Sequence, residues 1–203
     1  MRFTLAATLT LGLALPLPAG ADEITDQLDQ AKTYYGEGDV TGAIAELEFV
    51  LQALRGKIGQ ELLATFPEPP AGWTVEDKSD AQQSGQIPML GSGTMLSRTY
   101  RASDGDASIE AQLMSGGGFL QGIAGMFLNP QVMAAQPNAK RVRIGRENAV
   151  ATYDAAERSG QLVVDLGGKG TVMLQGHALG SSDPLVDLAQ RWDLKKVKEL
   201  LGG

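Results

Sequence analysis

The second half of the chain contains four short, alternating apolar segments separated only by the turn-like sequences GREN, AERSG and GGKG. The segments are Arg141 to Ile144, Ala149 to Asp154, Gln161 to Leu166 and Val172 to Gln175. Alternation with a period of two residues is typical of strands. Short connections join antiparallel neighbours, because parallel strands need long crossovers. This region therefore predicts an antiparallel sheet.

Further strands are predicted before this region and helices after it. A short strand starts at Trp73, and the segments MLSRTYRA and SIEAQLMS alternate on either side of Asp104-Gly105, a strong hairpin signal. The polar sequence DKSDAQQSGQIPMLGSG is predicted to be a loop. At the C-terminus, Asp183 is predicted to cap one helix, with Pro184 as its first residue, and Asp193 to cap a second.

The sequence after residue 21 predicts two amphipathic helices. Apolar residues recur at intervals of three and four on both sides of the turn GEGD, which is the spacing of one helix face. Asp39 or Thr41 is placed to cap the second helix. Two such helices joined by a tight turn make an antiparallel hairpin. The positions on the two faces are Ile24, Leu28, Ala31 and Tyr35, then Ile44, Leu47, Leu51, Leu54 and Ile58.

The stretch AKTYYGEGDVTGAIAEL resembles the centre of a tetratricopeptide-type repeat. Ala31, Tyr34, Gly38, Ala43 and Leu47 stand at the spacings that this family uses for interlocking small and large residues. The resemblance covers about 30 residues and occurs once, whereas such repeats usually need three or more copies to bury a continuous core. It implies a helical hairpin of that shape. The alternative is an unrelated helix pair packed on the rest of the chain.

These elements predict an α+β protein, in which an N-terminal helical hairpin precedes a mainly antiparallel sheet with helices packed on it. The element order resembles α/β/α proteins of the Mog1 and PsbP kind, a likeness that implies no function. The sequence FPEPPAGW stops the helices, because its prolines cannot continue one. The predicted organisation is a signal peptide at 1–21, the hairpin at 22–65, a proline-rich linker at 66–72 and the α+β domain at 73–203.

The first 21 residues predict export. One arginine, an uncharged apolar run and the cleavage-site pattern Ala19-Gly20-Ala21 are typical of a secretory signal peptide. The apolar run is too short to span a bilayer, so no transmembrane segment is predicted in the mature chain. The chain has no cysteine, which excludes disulfides and thiolate chemistry. Its net charge of −7 argues against nucleic acid as a partner. A periplasmic location is expected.

The glycine-rich stretch GGGFLQGIAGMFLNP is the strongest candidate for a contact surface. No charged residue occurs from Ala111 to Ala139. The pattern predicts a short helix that is a buried crossover, a lid or contact surface over residues 116–133, or a membrane contact. The predicted contact side chains are Phe119, Leu120, Ile123, Met126 and Phe127.

Candidate catalytic features are sparse, so no catalytic, metal-binding or cofactor-binding residue is assigned. His177 is the single histidine and is placed at a strand end, without predicted partners. Glu147, Asp154 and Asp165 fall in the strand region and could pair in space. The segments Asp104-Gly105-Asp106 and Gly167-Gly168-Lys169-Gly170 are interpreted as turns rather than as calcium or phosphate loops.

The sequence therefore favours an exported binding or accessory protein without catalytic activity. Its contact, with an envelope protein or an apolar small molecule, is expected near residues 116–133. One alternative is a carboxylate-dependent hydrolase of envelope material that uses His177. The other is a small-molecule or lipid carrier, which would need an enclosed apolar cavity of roughly 300 Å3 or more.

Overall fold

The computed structural model describes residues 19–76, 94–116 and 138–202, with side chains from Glu23 onwards. Most of the predicted signal peptide and the whole polar loop predicted after Glu76 lie outside these ranges. The chain divides into two compact units, Met1–Gly56 and Lys57–Gly203.

Two helices, α1 (Ala19–Gly36) and α2 (Val40–Ala64), form the predicted N-terminal hairpin. Gly38 has a φ of +83°, which closes the turn between them. Asp39 caps α2, because its Oδ1 accepts a hydrogen bond from the Gly42 amide at 2.9 Å. A Cβ at Gly42 would lie 2.6 Å from an Asp39 carboxylate oxygen, so a larger residue here would displace the capping side chain.

The hairpin buries a narrower set of residues than its apolar spacing predicts. Ala31, Ala43 and Val50 are at most 4% exposed. In contrast, one side of α2 carries six large apolar residues that are each between 42% and 54% exposed. We call these residues the apolar stripe: Val40, Ile44, Leu47, Leu51, Leu54 and Ile58. The predicted helical spacing is present, but no described part of the chain buries the stripe.

The second unit is built on an antiparallel sheet whose seven strands, within the described residues, follow the order β1-β2-β3-β7-β6-β5-β4. Every neighbouring pair is antiparallel. The α+β fold class is therefore confirmed. The strands are β1 (Trp73–Glu76), β2 (Thr94–Ala102), β3 (Ser108–Ser115), β4 (Ala139–Ile144), β5 (Glu147–Asp154), β6 (Ser159–Asp165) and β7 (Gly170–His177).

The turns between these strands use the predicted residues. Gly105, with a φ of +115°, lies in the β2–β3 connection. Gly167 and Gly168 have φ values of +70° and +80° in the β6–β7 connection. Positive φ at the consecutive positions 167 and 168 is the geometry of a tight hairpin. Both segments that resemble ligand loops connect paired antiparallel strands, as a turn does.

Two short helices, α3 (Asp183–Gln190) and α4 (Leu194–Leu200), follow the sheet in the described part of the second unit. Asp193 caps α4 as predicted, since its Oδ1 accepts from the Lys196 amide at 3.0 Å. The predicted cap of α3 is wrong by one residue: Ser182 is the N-cap, and Asp183 already lies in the helix.

One face of the sheet carries the hydrophobic core. The residues Leu113, Leu162, Val164 and Leu174 point to this face and are at most 1% exposed. They pack in one cluster with buried side chains from the end of α2 and from both C-terminal helices. The helical members of the cluster are Leu62, Leu185, Leu188, Ala189, Leu194 and Val197.

The segment after α2, predicted as a linker, contributes directly to this core. Phe66 is 3% exposed, and its ring centroid lies 4.3 Å from that of Trp192. The Trp192 Nε1–H donates to Thr65 Oγ1 at 3.1 Å. The Tyr100 hydroxyl, which is fully buried, donates to the Pro67 carbonyl at 2.7 Å. This segment is therefore held by packing and by hydrogen bonds.

The buried Tyr100 hydroxyl should make the free energy of unfolding fall at high pH. Burial raises the pKa of Tyr100 from 10.0 to about 12, although Arg98 lowers it in part. Because the unfolded state then loses its proton first, the folding contribution is complete below pH 10 and is lost as the pH rises towards 12. The Tyr100→Phe variant should be about 1–2 kcal/mol less stable at pH 8, because the buried Pro67 carbonyl loses its donor.

Urea unfolding between pH 8 and 12 checks this, with Tyr35→Phe as the control, since Tyr35 is 72% exposed. The difference between wild type and Tyr100→Phe should shrink above pH 10. A constant difference across this range would contradict the assignment.

Candidate functional site

The contact residues predicted from the sequence, Phe119, Leu120, Ile123, Met126 and Phe127, all lie outside the described residues. The candidate site that the described part of the chain offers is instead a cleft of about 490 Å3 on the sheet face opposite the core. It forms where β5 and β7 end and β6 begins. Its lining residues are Asn138, Thr152, Tyr153, Asp154, Ser159, Gly160, Gln161, Gln175, Gly176 and His177.

The antiparallel register aligns three chemically active side chains across this cleft. Asp154 pairs with Ser159, and Gly160 pairs with Gly176. The next position along the β6–β7 ladder places Ser159 beside His177. Since neighbouring strands lie about 5 Å apart, Asp154 and His177 are separated by about 10 Å with Ser159 between them. The order across the sheet is therefore carboxylate, hydroxyl, imidazole.

This order differs from that of a catalytic triad. A nucleophilic serine needs the imidazole as its base, and the carboxylate must hold the far nitrogen of that imidazole. Here the serine occupies the central position, so Asp154 cannot orient His177. Asp154 also has another role: its Oδ1 accepts from the amides of Ala156 and Glu157 at 2.8 and 3.2 Å. Within the described residues, the exposed His177 ring has no hydrogen-bond partner.

Two glutamines extend the cleft along the same sheet face. Gln161 and Gln175 form a cross-strand pair. Both amide groups donate to the sulfur of Met173, at 3.3 and 3.2 Å. A thioether is a weak acceptor. The two amides therefore retain most of their hydrogen-bonding capacity for a ligand.

The rim of the cleft contains the two non-glycine residues that have positive φ in the described part of the chain. Arg158 has a φ of 51° and Ala178 a φ of 55°, and they directly precede Ser159 and follow His177. Such strained residues persist only where the surroundings fix them, and they cluster at functional sites. This observation singles out the cleft among the surfaces of the sheet.

A network of hydrogen bonds holds the strained rim in place. The Arg158 guanidinium donates to the Ala178 carbonyl at 2.8 Å. The Leu179 amide donates to the Arg158 carbonyl at 2.8 Å. Tyr153 donates its hydroxyl proton to the Leu179 carbonyl at 2.9 Å. The rim is therefore pre-organised before any ligand arrives.

The three carboxylates of the strand region do not meet. Glu147 and Asp154 stand at opposite ends of β5, about 24 Å apart at 3.4 Å per residue. Glu147 instead forms an ion pair with Lys198 at 2.8 Å. Asp165 Oδ1 accepts from the Gly167 amide at 3.0 Å. Glu147 and Asp165 lie at neighbouring ends of β5 and β6, since Ala149 pairs with Val164, but strand alternation directs their side chains to opposite faces of the sheet. The three carboxylates therefore form no common site.

A second cleft, of about 540 Å3, lies at the β4 edge of the sheet and is lined by Arg141, Val142, Arg143, Asn148, Ala149 and Asp165. In the described ranges, no group of three or more histidine, aspartate or glutamate residues is arranged to hold a metal ion. None of the helices described there combines the length and the hydropathy needed to cross a membrane.

Sequence reasoning identified His177 and Asp154 but missed Ser159, Gln161 and Gln175. The alternation of β5, β6 and β7 places all five residues on one face, and the short turns limit the register. The shared face could therefore have been inferred from the sequence. The strain at Arg158 and Ala178 is not readable, because neither residue type favours positive φ.

No protein-family model matches the chain, and neither a curated protein nor a solved structure matches it.

A side chain at Gly176 should destabilise the protein, because it would disturb the packing of the core beneath the cleft. A Cβ there would overlap Leu179 Cδ1 and lie 3.0 Å from Leu185 Cδ2. We expect Gly176→Ala to lower the free energy of unfolding by about 1–3 kcal/mol. Gly180→Ala is the matched control, since no atom lies within 4 Å of a Cβ there and its φ is not in the left-handed region. Thermal unfolding of both variants measures the difference, and equal stabilities would contradict this packing.

Proposed function

We propose that this chain is an exported binding or accessory protein without catalytic activity. Its partner, an envelope protein or an apolar small molecule, makes its contact near residues 116–133. The observation that carries the binding role is the pre-organised cleft around Ser159 and His177, with strained residues fixed on both sides of it. Asn138, which lines this cleft, follows the proposed contact stretch closely along the chain. One partner could therefore engage both.

The chemistry of the cleft suits recognition of polar, uncharged groups. Its lining offers the amides of Asn138, Gln161 and Gln175 and the hydroxyls of Thr152 and Ser159. The lining residues include no lysine or arginine, and the Arg158 guanidinium on the rim donates to the Ala178 and Leu179 carbonyls. The lining therefore lacks the cations that usually hold a phosphate or a carboxylate. Amides and hydroxyls both donate and accept, as a peptide backbone requires. This favours a segment of a protein partner as the occupant.

The order of the polar groups supports binding over catalysis. A general base must lie within hydrogen-bond reach of the proton that it removes, and its own orientation must be fixed. His177 lies next to Ser159, but the described residues provide no group that orients its ring. Asp154 is engaged by two backbone amides. The arrangement therefore supplies recognition groups without a proton relay.

A hydrolase of envelope material is the second candidate, and the adjacency of Ser159 and His177 favours it. Ser159→Ala and His177→Ala separate the two functions. If the protein binds without catalysis, hydrolysis of isolated cell-wall and ester substrates by the wild type stays at the background rate, and neither variant changes it. A wild-type rate that falls about 100-fold or more in both variants would establish the enzyme instead.

A lipid carrier finds less support in the described geometry. Both clefts are open to solvent, and each has hydroxyl, amide or charged side chains among its lining residues. Lipid binding calls for a largely apolar cavity that buries most of the ligand.

Cross-linking in intact cells tests the binding role. The tagged protein is cross-linked after export and purified, and the mature chain is analysed in parallel by native mass spectrometry. We expect a stoichiometric protein partner with cross-links to residues near 116–133 and to the cleft. A bare chain that retains a small molecule would favour the carrier. A bare chain with neither would contradict the proposal.

Substitutions in the proposed contact stretch test which side chains bind the partner. Phe119→Ser combined with Phe127→Ser should reduce partner recovery at least about tenfold, as expected for the loss of two aromatic anchors. Phe49→Ser is the matched control, because Phe49 is an exposed phenylalanine of the hairpin. Thermal unfolding accompanies both. If the double variant unfolds outright while the control does not, the two residues belong to the core and the contact assignment fails.

A further inference from the structure

All large apolar side chains that are markedly exposed in the described residues lie on the N-terminal helices, between Leu28 and Ile58. Six of the nine form the apolar stripe, and α1 adds Leu28 and Tyr35. Single exposed apolar residues are common on protein surfaces, but a contiguous set marks an interaction site. Nothing comparable occurs on the described surface of the sheet.

The stripe has the spacing of a coiled-coil seam. Its residues follow one another at intervals of four, three, four, three and four, so they occupy alternating a and d positions of a heptad pattern. Ile44, Leu51 and Ile58 are the a positions. At 1.5 Å per residue, the seam extends for about 27 Å. Such a seam packs against another helix in an extended side-by-side arrangement.

The contact inside the hairpin uses a different side of α2. Ala43 and Val50 are buried at 4% and 3% exposure. At 100° per residue they point about 70° away from the centre of the stripe. The stripe therefore remains available while the hairpin is intact.

We propose that the stripe packs against the stripe of a second copy of this chain, with the two α2 helices antiparallel. An interface around a two-fold axis uses the same patch on both copies, so the patch must be complementary to itself. In the antiparallel register that we infer, Leu51 faces the second copy's Leu54. In the same register Leu47 faces the second copy's Ile58.

The charges beside the stripe select this orientation. Positions of the e type face each other in an antiparallel pair of helices. In this register Glu48 therefore faces the second copy's Arg55, and the symmetric contact repeats it. In a parallel pair, e positions face g positions instead, which here are Ala43 and Val50. These apolar residues offer Glu48 and Arg55 no opposite charge.

The available surface reaches the minimum area that a specific dimer needs. A seam of about 27 Å on a hairpin about 20 Å wide covers roughly 500 Å2 on each copy, or about 1,000 Å2 in total. This reaches the lower limit for a specific interface. The hairpin dimer is independent of the cleft and of the proposed partner, so either proposal can fail while the other stands.

Sedimentation equilibrium of the mature chain, over a range of roughly 1–500 μM that brackets a micromolar Kd, tests the dimer. We expect a dimer for the wild type and a monomer for Leu47→Asp and for Leu51→Asp. Phe49→Asp is the matched control, because Phe49 lies on the same helix, outside the stripe, at 45% exposure. It should leave the dimer intact. Far-UV circular dichroism and thermal unfolding establish that each variant is folded.

A charge exchange tests the antiparallel register. Glu48→Arg alone and Arg55→Glu alone should each weaken the dimer at least about fivefold, and the double variant should restore it to within about twofold. Failure of the double variant to restore the dimer would overturn the antiparallel pairing.

Three outcomes would overturn the second copy as the occupant. The first is a wild-type monomer at all concentrations, and the second is dissociation by Phe49→Asp as severe as that caused by the stripe variants. The third is a monomer whose stripe binds a helix of another protein.

Discussion

The hydrogen bond from the Tyr100 hydroxyl to the Pro67 carbonyl ties together distant segments in the core of the second unit. It joins β2 to the chain that follows α2, inside a core from which water is excluded. Phe66 beside it packs on Trp192, so three parts of the sequence far from one another meet at one point. A buried carbonyl without a donor is costly, and this bond therefore specifies one arrangement of the core as well as stabilising it.

The same core shapes the candidate site on the opposite face of the sheet. Gly160 and Gly176 pair across β6 and β7 and leave room for Leu179 and Leu185 beneath them. The Leu179 carbonyl then accepts hydrogen bonds from Tyr153 and from Arg158, which fixes the strained rim. Packing on one face of the sheet thus pre-organises polar groups on the other. A rigid rim limits the entropy lost on binding, which suits a recognition site.

The two units differ in how well the hydrophobic periodicity of the sequence predicted which side chains are buried. In the sheet, alternation and turn residues predicted the strands, and the observed register then places Asp154 and His177 on the same face. In the hairpin, the helical period correctly predicted one apolar face, but the burial of Leu51 and Leu54 did not follow. A period states which residues face the same way. It does not state what, if anything, lies opposite them, because that depends on a second surface elsewhere.

Within the described residues, the sequence by itself determined the helices and strands, the antiparallel pairing and the position of most turns, since these rest on local periodicity and on the φ preferences of glycine and proline. It also excluded thiol chemistry. Only the tertiary structure decided that Ser159 stands between Asp154 and His177, and that Arg158 and Ala178 carry strain beside them. These features arise from the register of strands and from contacts between distant residues, which no local pattern specifies.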